Sequence, residues 1–312
     1  MSSIHIEQNG VTRTLSVPAD ETLLSALRRA GYSIPAACGG KGRCGKCRVP
    51  VNGVPRLACR VYPADGDTVT LPESAGGAIL TRTLPLPACQ PGRTGCAAAV
   101  DLGTTTVVAR LYDLASGAEL ATESGWNAQA PYGADVISRI RHETEWEEHR
   151  NGPNPLQQAI TKQVSAMLAG LLEQAGIGDV DFLSLTGNTT MMHLLCGLPG
   201  EHIGKAPFIP ATLEPMRLPA ADLGIASQAP AFLLPGISAY IGADIVASLL
   251  AADAHRSQPP FLLVDLGTNA ETVLCASGTL YACSAAAGPC FEGATLSCGM
   301  AGQDGAIDTV SP

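Results

Sequence analysis

The chain has 312 residues, 46% of them hydrophobic and 15% charged, with a net charge of −9. This is the composition of a soluble globular protein, and it excludes intrinsic disorder and general nucleic-acid binding. The charge is uneven: residues 1–73 hold 9 Lys/Arg against 6 Asp/Glu, and the remainder 10 against 22, so two units with different partners are expected. The polar start, residues 1–9, lacks the apolar stretch of a signal peptide. The most apolar run, 231–250, is broken by Pro235, Gly236, Gly242 and Asp244 and is not read as a membrane span. A cytoplasmic location follows, and there the 11 cysteines point to metal chemistry or small buried side chains rather than disulfides.

In chain order, residues 3–17 alternate around Asn9-Gly10 and predict a β-hairpin. Asp20 or Thr22 caps a helix over 23–30 that Gly31 stops. A Gly- and Cys-rich loop over 36–47 and short strands near 48–54 and 68–71 complete a β-grasp arrangement. The Pro-, Gly-, Ser- and Thr-rich stretch 74–96 reads as a linker. Beyond it come a strong strand run over 97–114, a polar region with a helix over 135–148, a helix over 155–174, and a strand at 182–185. A Gly-Asn-Thr-Thr turn then leads into a helix ending at 195. Residues 197–230 read as irregular, and a helix over 242–252 precedes a strand at 261–265. The alternation predicts an α/β second domain over 97–312. Residues 99–106, AVDLGTTT, echo in 263–270, LVDLGTNA, as in a duplicated fold.

Cys38, Cys44 and Cys47 are spaced C-x5-C-x2-C, and Cys59 follows after eleven residues. A tight loop of three thiolates plus one distant thiolate is the ligand layout of a [2Fe–2S] cluster. The first gap of five resembles the ferredoxins that serve monooxygenases. Gly39, Gly40, Gly42 and Gly45 let the loop turn its N–H groups toward sulfur. Lys41, Arg43, Lys46, Arg48, Arg56 and Arg60 supply positive charge, with no acid between Cys38 and Arg60, and can dock an acidic redox partner. Zinc also takes four thiolates but favours C-x2-4-C pairs, of which there is one here. A [4Fe–4S] cluster would show a C-x2-C-x2-C run. The other seven cysteines read as small hydrophobes.

Each Asp-Leu-Gly-Thr sequence brings a carboxylate into a Gly-Thr turn. There, backbone N–H groups and Thr hydroxyls can meet phosphate oxygens, and the carboxylate can hold Mg²⁺ through its water shell. The Asp-Thr-Gly pair of aspartic proteases has a different order and an all-β setting. Asn188 in Gly187-Asn188-Thr189-Thr190 reads equally as a phosphate-side turn or a helix N-cap.

Two such loops separated by an α/β segment resemble the actin-like ATPase (ribonuclease H-like) fold of sugar kinases, heat-shock chaperones and actin. The resemblance implies that Asp101 and Asp265 organise Mg²⁺ and that Asp244, in YIGADIVA, positions an attacking water. It also implies that Gly103, Thr104, Thr105, Thr106, Gly267, Thr268 and Asn269 cradle the phosphates of ATP. Together with the cysteine loop, the chain resembles the reductive activators of corrinoid proteins. That likeness is carried by DLGTTT, YGADVISRI over 132–140, GNTTMMHLL, the PFIP turn at 207–210, YIGADIVA, DLGTNAE, and AGPCFEG over 287–293. It implies ATP-driven reduction of Co(II) corrinoid to Co(I), an upstream low-potential electron donor, a corrinoid-protein partner and a homodimer. The alternatives are a plain electron carrier with a docking domain, or a redox-regulated ATPase or kinase. The resemblance further places the adenosine-binding segment and a second connecting helix beyond residue 312, so an incomplete nucleotide site and a marginally stable second domain are expected.

Overall fold

The computed structural model describes residues 1–8, 10–30, 32, 34, 40, 42, 45, 47–71, 93–133, 135–149, 152–254, 260–267 and 269–285. They form two compact units, one holding 1–71 with 130–138 and the other 93–129 with 139–285.

In the first unit, strands β1 (Ser2–Gln8) and β2 (Val11–Val17) pair antiparallel. Gln8 faces Val11 across a turn whose Gly10 has φ +73°, the positive φ that such a two-residue turn requires. Thr22 rather than Asp20 caps helix α1 (Leu23–Arg29), its side chain accepting from the Ser25 N–H at 3.4 Å. Arg28 and Arg29 fall in the last turn, where the helix dipole favours cations. Strands β3 (Arg48–Val51) and β4 (Val54–Leu57) form a second hairpin, and a 3-10 turn, Ala58–Arg60, leads toward β5 (Thr68–Thr70). β5 runs parallel to β1 and antiparallel to β3, giving the order β2-β1-β5-β3-β4. Ile4, Ile6, Val49, Val51 and Val69 face α1 residues Leu23, Leu24 and Leu27 in one buried core. This is the expected β-grasp.

The second unit opens with β6 (Cys96–Leu102), β7 (Thr106–Asp113) and β8 (Glu119–Trp126), an antiparallel meander. Helices α2 (Val136–His149) and α3 (Pro155–Ala175) follow, then β9 (Phe182–Gly187), α4 (Thr189–Cys196), the short α5 (Glu201–Gly204), β10 (Met216–Pro219), β11 (Pro230–Leu233) and α6 (Ala243–Ala251). The sheet order is β10-β11-β9-β6-β7-β8, with β9 parallel to both β6 and β11. Helix α3 starts at Asn154, whose side chain accepts from Leu156 N–H at 2.9 Å, and ends on Gly176 at φ +68°. Its buried stripe of Leu156, Ile160, Val164, Leu168 and Leu171 packs on β7 and β8.

Strands β12 (Phe261–Leu266), β13 (Ala270–Ala276) and β14 (Thr279–Ala285) form a separate antiparallel sheet that repeats the β6-β7-β8 meander. The second copy repeats the strand pairing with a turn one residue shorter: Leu102 pairs with Val107, and Leu266 with Ala270. Asp101 pairs with Val108, Val100 with Ala109 and Ala98 with Leu111; Asp265 pairs with Glu271, Val264 with Thr272 and Leu262 with Leu274. In the first copy the face carrying Ala98, Val100, Leu102 and Leu111 is buried, whereas its counterpart in the second copy, Leu262, Val264, Leu266 and Leu274, is exposed. Unlike β6, β12 is alternately half-buried and exposed.

Other differences are local. The run 97–114 is two strands joined by a tight turn, and 197–230 contains α5 and β10 where irregular chain was expected. β6 begins at Cys96. Residues 74–92 of the expected linker, Thr268, and all of 286–312, including AGPCFEG, lie outside the described residues. Among the described residues, no helix is long and apolar enough to cross a membrane.

Candidate functional site

In the first unit, Cys47 and Cys59 are buried, 1% and 7% exposed. Cys47 precedes β3 and Cys59 lies on the 3-10 turn after β4. The Ala58 N–H donates to the Cys47 carbonyl at 2.7 Å, so the hairpin brings the two cysteines to one end of the sheet. Cys38 and Cys44 lie outside the described residues. Gly40, Gly42 and Gly45, between them and on to Cys47, have φ of +82°, +70° and +71°, the left-handed conformations that favour glycine. A Cβ on Gly40 would stand 3.3 Å from Leu24 Cδ2 and 3.7 Å from Cys59 Cβ, and one on Gly42 would overlap the Arg60 guanidinium. Gly40 thus lies against Cys59, and the Arg60 guanidinium lies over Gly42. Buried thiols, glycines in the left-handed region and adjacent positive charge fit an anionic iron–sulfur cluster.

In the second unit, four acids face one space. Asp101 lies near the end of β6, Asp265 near the end of β12, Asp244 in the first turn of α6 and Glu271 on β13. Asp101 keeps open surface, but protein lies close on its other sides; this loss of water, with the negative charge of Asp265, raises its carboxyl to about 6. Burial also raises Asp244 to about 6, against the Ile245 N–H that donates to it at 2.9 Å, with repulsion from Asp101, Glu271 and Asp265 adding to the shift. Glu271 is raised by burial and by Asp265, partly offset by the Ser284 hydroxyl donating at 2.9 Å. Asp265 and Glu271 are direct cross-strand partners, and like charges placed so are destabilising. Beside Asp101, on β9, the buried Thr186 hydroxyl has no hydrogen-bond partner. Repelling carboxylates and an orphaned hydroxyl fit a hydrated cation. Among the described residues, no three His, Cys, Asp or Glu side chains stand close enough to ligate one ion directly.

The loop after Asp101 is fixed from behind. Asn127 Nδ2 donates to the Gly103 carbonyl at 2.7 Å, the buried Arg139 to the Thr104 carbonyl at 2.6 Å, and the Asn127 N–H to the Thr105 carbonyl at 2.8 Å. A Cβ on Gly103 would stand 2.5 Å from the Thr106 carbonyl oxygen, so the turn requires glycine. In the second copy, the Gly267 N–H donates to the Asn269 carbonyl at 2.8 Å. Of the two readings of Asn188, the structure shows the N-cap. It caps α4, accepting from Met191 N–H at 3.0 Å, and its Nδ2 donates to Thr104 Oγ1 at 2.9 Å. Burial lowers the His193 pKa, partly offset by its hydrogen bond to Thr189. Nδ1 donates to the Thr189 carbonyl at 2.7 Å and Nε2 accepts from Ala211 N–H at 3.1 Å, tying α4 to the following loop.

The structure therefore brings Asp101, Asp244 and Asp265 together, as the sequence implied, and adds Glu271, Asn127 and Arg139. Glu271 was legible in the hairpin register, since a strand pair closing on Asp265 places a residue opposite it. Arg139 left only a weak signal, polar side chains at 139 and 143 on a buried helical face.

Gly242, before Asp244, has a backbone role. A Cβ there would stand 2.5 Å from Asn188 Cα and 2.7 Å from Thr189 N, both main-chain atoms. Gly242→Ala is expected to cost about 1–3 kcal/mol by overpacking, read as a lowered Tm by calorimetry; an unchanged Tm would show that α4 and α6 do not meet there.

The folds define a two-part protein, a ferredoxin-like domain joined to an actin-like ATPase fold. The chain belongs to the RACo family: the RACo middle region matches residues 96–257, the C-terminal ASKHA domain of RACo 260–312, and a 2Fe-2S iron-sulfur cluster binding domain 6–64. It is 36% identical over 219 residues to a corrinoid activation enzyme of Eubacterium limosum, covering 68% of this chain and 36% of that one. It is 29% identical over 225 residues to a [Co(II) methylated amine-specific corrinoid protein] reductase of Methanosarcina barkeri, covering 69% and 40%. The chain thus spans less than half the length of these relatives. A solved structure of a reductive activator for corrinoid, iron-sulfur protein superposes with a TM-score of 0.60 at 23% identity, over 96% of this chain and 65% of that one, a likeness of fold.

Proposed function

We propose that the chain acts in an ATP-dependent reductase that returns the cobalt of a corrinoid protein from Co(II) to Co(I). The observation that carries this is the convergence of Asp101, Asp244, Asp265 and Glu271 in a chain that also bears a ferredoxin domain. Cys38, Cys44, Cys47 and Cys59 hold the [2Fe–2S] cluster, which supplies one-electron transfer when bound. Asp101 and Asp265 hold Mg²⁺ through water, and Asp244 orients the water that attacks the terminal phosphate. Gly103, Thr104, Thr105, Thr106, Gly267, Thr268 and Asn269 bind phosphate. Residues 1–73 are the electron-transfer unit, 74–96 the linker and 97–312 the nucleotide-dependent unit. One electron from a low-potential donor reduces each Co(II), and ATP plus water gives ADP and phosphate. The names of the relatives support the corrinoid-protein partner, and a cytoplasmic location and a homodimer belong to the same reading.

The test is an anaerobic mixture of the chain, a reductant and a Co(II) corrinoid protein, followed by the Co(II) EPR signal. Signal loss is expected with Mg·ATP and not with a non-hydrolysable analogue. Equal loss without nucleotide would reduce the chain to an electron carrier.

A further inference from the structure

The carbonyls of Gly103, Thr104 and Thr105 are each held by a donor from elsewhere in the unit: Asn127 Nδ2, Arg139 and the Asn127 N–H. In a trans peptide the N–H points opposite to the C=O of the same plane. Anchoring the Gly103 and Thr104 carbonyls therefore turns the Thr104 and Thr105 N–H groups away from the scaffold. Thr104 Oγ1 accepts from Asn188 Nδ2, which leaves its own hydrogen to be donated elsewhere. The anchors are themselves fixed. Asn127 is 1% and Arg139 0% exposed. Asn127 Oδ1 accepts from Gln129 N–H at 2.8 Å, Arg139 NH1 donates to Gln129 Oε1 at 3.2 Å, and the same NH1 lies 3.1 Å from Met191 Sδ.

We propose that Arg139, Asn127 and Asn188 are positioning residues that preset three donors, the Thr104 and Thr105 N–H groups and the Thr104 hydroxyl, for the terminal phosphates of a polyphosphate ligand. This rests on the reading of the site as a nucleotide site. Arg139 reaches the loop through the Thr104 carbonyl, so its planar fork sets the backbone and is not placed at the ligand itself. Presetting matters because donors that need not reorganise on binding lose less of their interaction energy.

The experiment titrates tripolyphosphate with Mg²⁺ into the full chain, by calorimetry and by amide NMR of the ¹⁵N-labelled protein. In the native chain the Thr104 and Thr105 amides are expected to shift. Arg139→Met is expected to weaken binding roughly tenfold or more and to lose those two shifts, with Arg139→Lys intermediate because lysine keeps the charge but not the planar fork. Asn188→Ser retains a helix cap but loses the donor to Thr104, and so keeps the proposal testable if Arg139→Met fails to fold; a several-fold weaker affinity at unchanged Tm is expected. Native affinity and native shifts in folded Arg139 and Asn188 variants would overturn the proposal while leaving the nucleotide site standing. No binding and no shifts in the native chain would overturn both.

Discussion

Cys59→Ser abolishes the visible absorption and EPR signal of the reduced cluster and with them all electron transfer. The expectation follows from the ligand set, since four thiolates hold a [2Fe–2S] cluster and serine oxygen is a poor substitute for soft iron ligation. The same change destabilises the first unit. Cys59 and Cys47 belong to its buried core beside Leu24, Leu27 and Val49, and a domain this small draws folding energy from its metal group. Iron and sulfide analysis with a thermal melt checks both effects. Cys196→Ser and Cys275→Ser are the controls: both thiols lie in the second unit, Cys275 buried and Cys196 half-buried, and burial raises that of Cys196 to about 11, far from the thiolate a ligand must be. Full iron content in Cys59→Ser, or its loss in Cys196→Ser, would place the cluster on a different ligand set.

The cysteine loop was legible because ligation constrains spacing directly, and no tertiary information is needed to count residues between thiols. The repeated Asp-Leu-Gly-Thr was legible for the same reason, since a strand–turn–strand unit that must put a carboxylate beside a glycine turn repeats its sequence when it repeats its fold. β8 escaped notice because it is an edge strand: its run Glu119–Trp126 shows the mixed polar face of a strand with one neighbour, which periodicity cannot separate from loop. Arg139 and Asn127 escaped because their work is done on carbonyls distant in sequence, Arg139 reaching 35 residues back to Thr104 and Asn127 reaching 24 back to Gly103. A side chain that serves a main-chain atom of another element leaves no local pattern. The exposed face of Leu262, Val264, Leu266 and Leu274 carries a related lesson. Its apolar alternation reads as burial, and in the first copy the matching residues are indeed buried, so the pattern reported what the strand is built to pack against rather than its surroundings among the described residues.

Without Mg²⁺, the second unit is expected to lose stability as pH rises from about 4 to 7, the reverse of the usual carboxylate behaviour. Asp101 and Asp244 are both raised to about 6, and Glu271 is raised as well, while in the unfolded chain these groups titrate near 4. Between those values the folded protein holds more protons than the unfolded one, so stability falls with pH. The contribution is fully present below about pH 4 and is gone once pH has passed about 6. A divalent cation binds the ionised form and opposes the loss, so the difference in Tm with and without Mg²⁺ should widen from pH 5 to pH 8. Asp101→Asn removes one of the repelling charges. It should raise Tm at pH 8, flatten the pH dependence and lower ATP turnover by at least about a hundredfold, a gain of stability bought by loss of function. Calorimetric melts of both proteins at pH 5, 6, 7 and 8 measure this. A lower Tm for Asp101→Asn at pH 8 would mean that the fold favours the ionised carboxylate by itself, and a site that already stabilises its charges has little use for a cation.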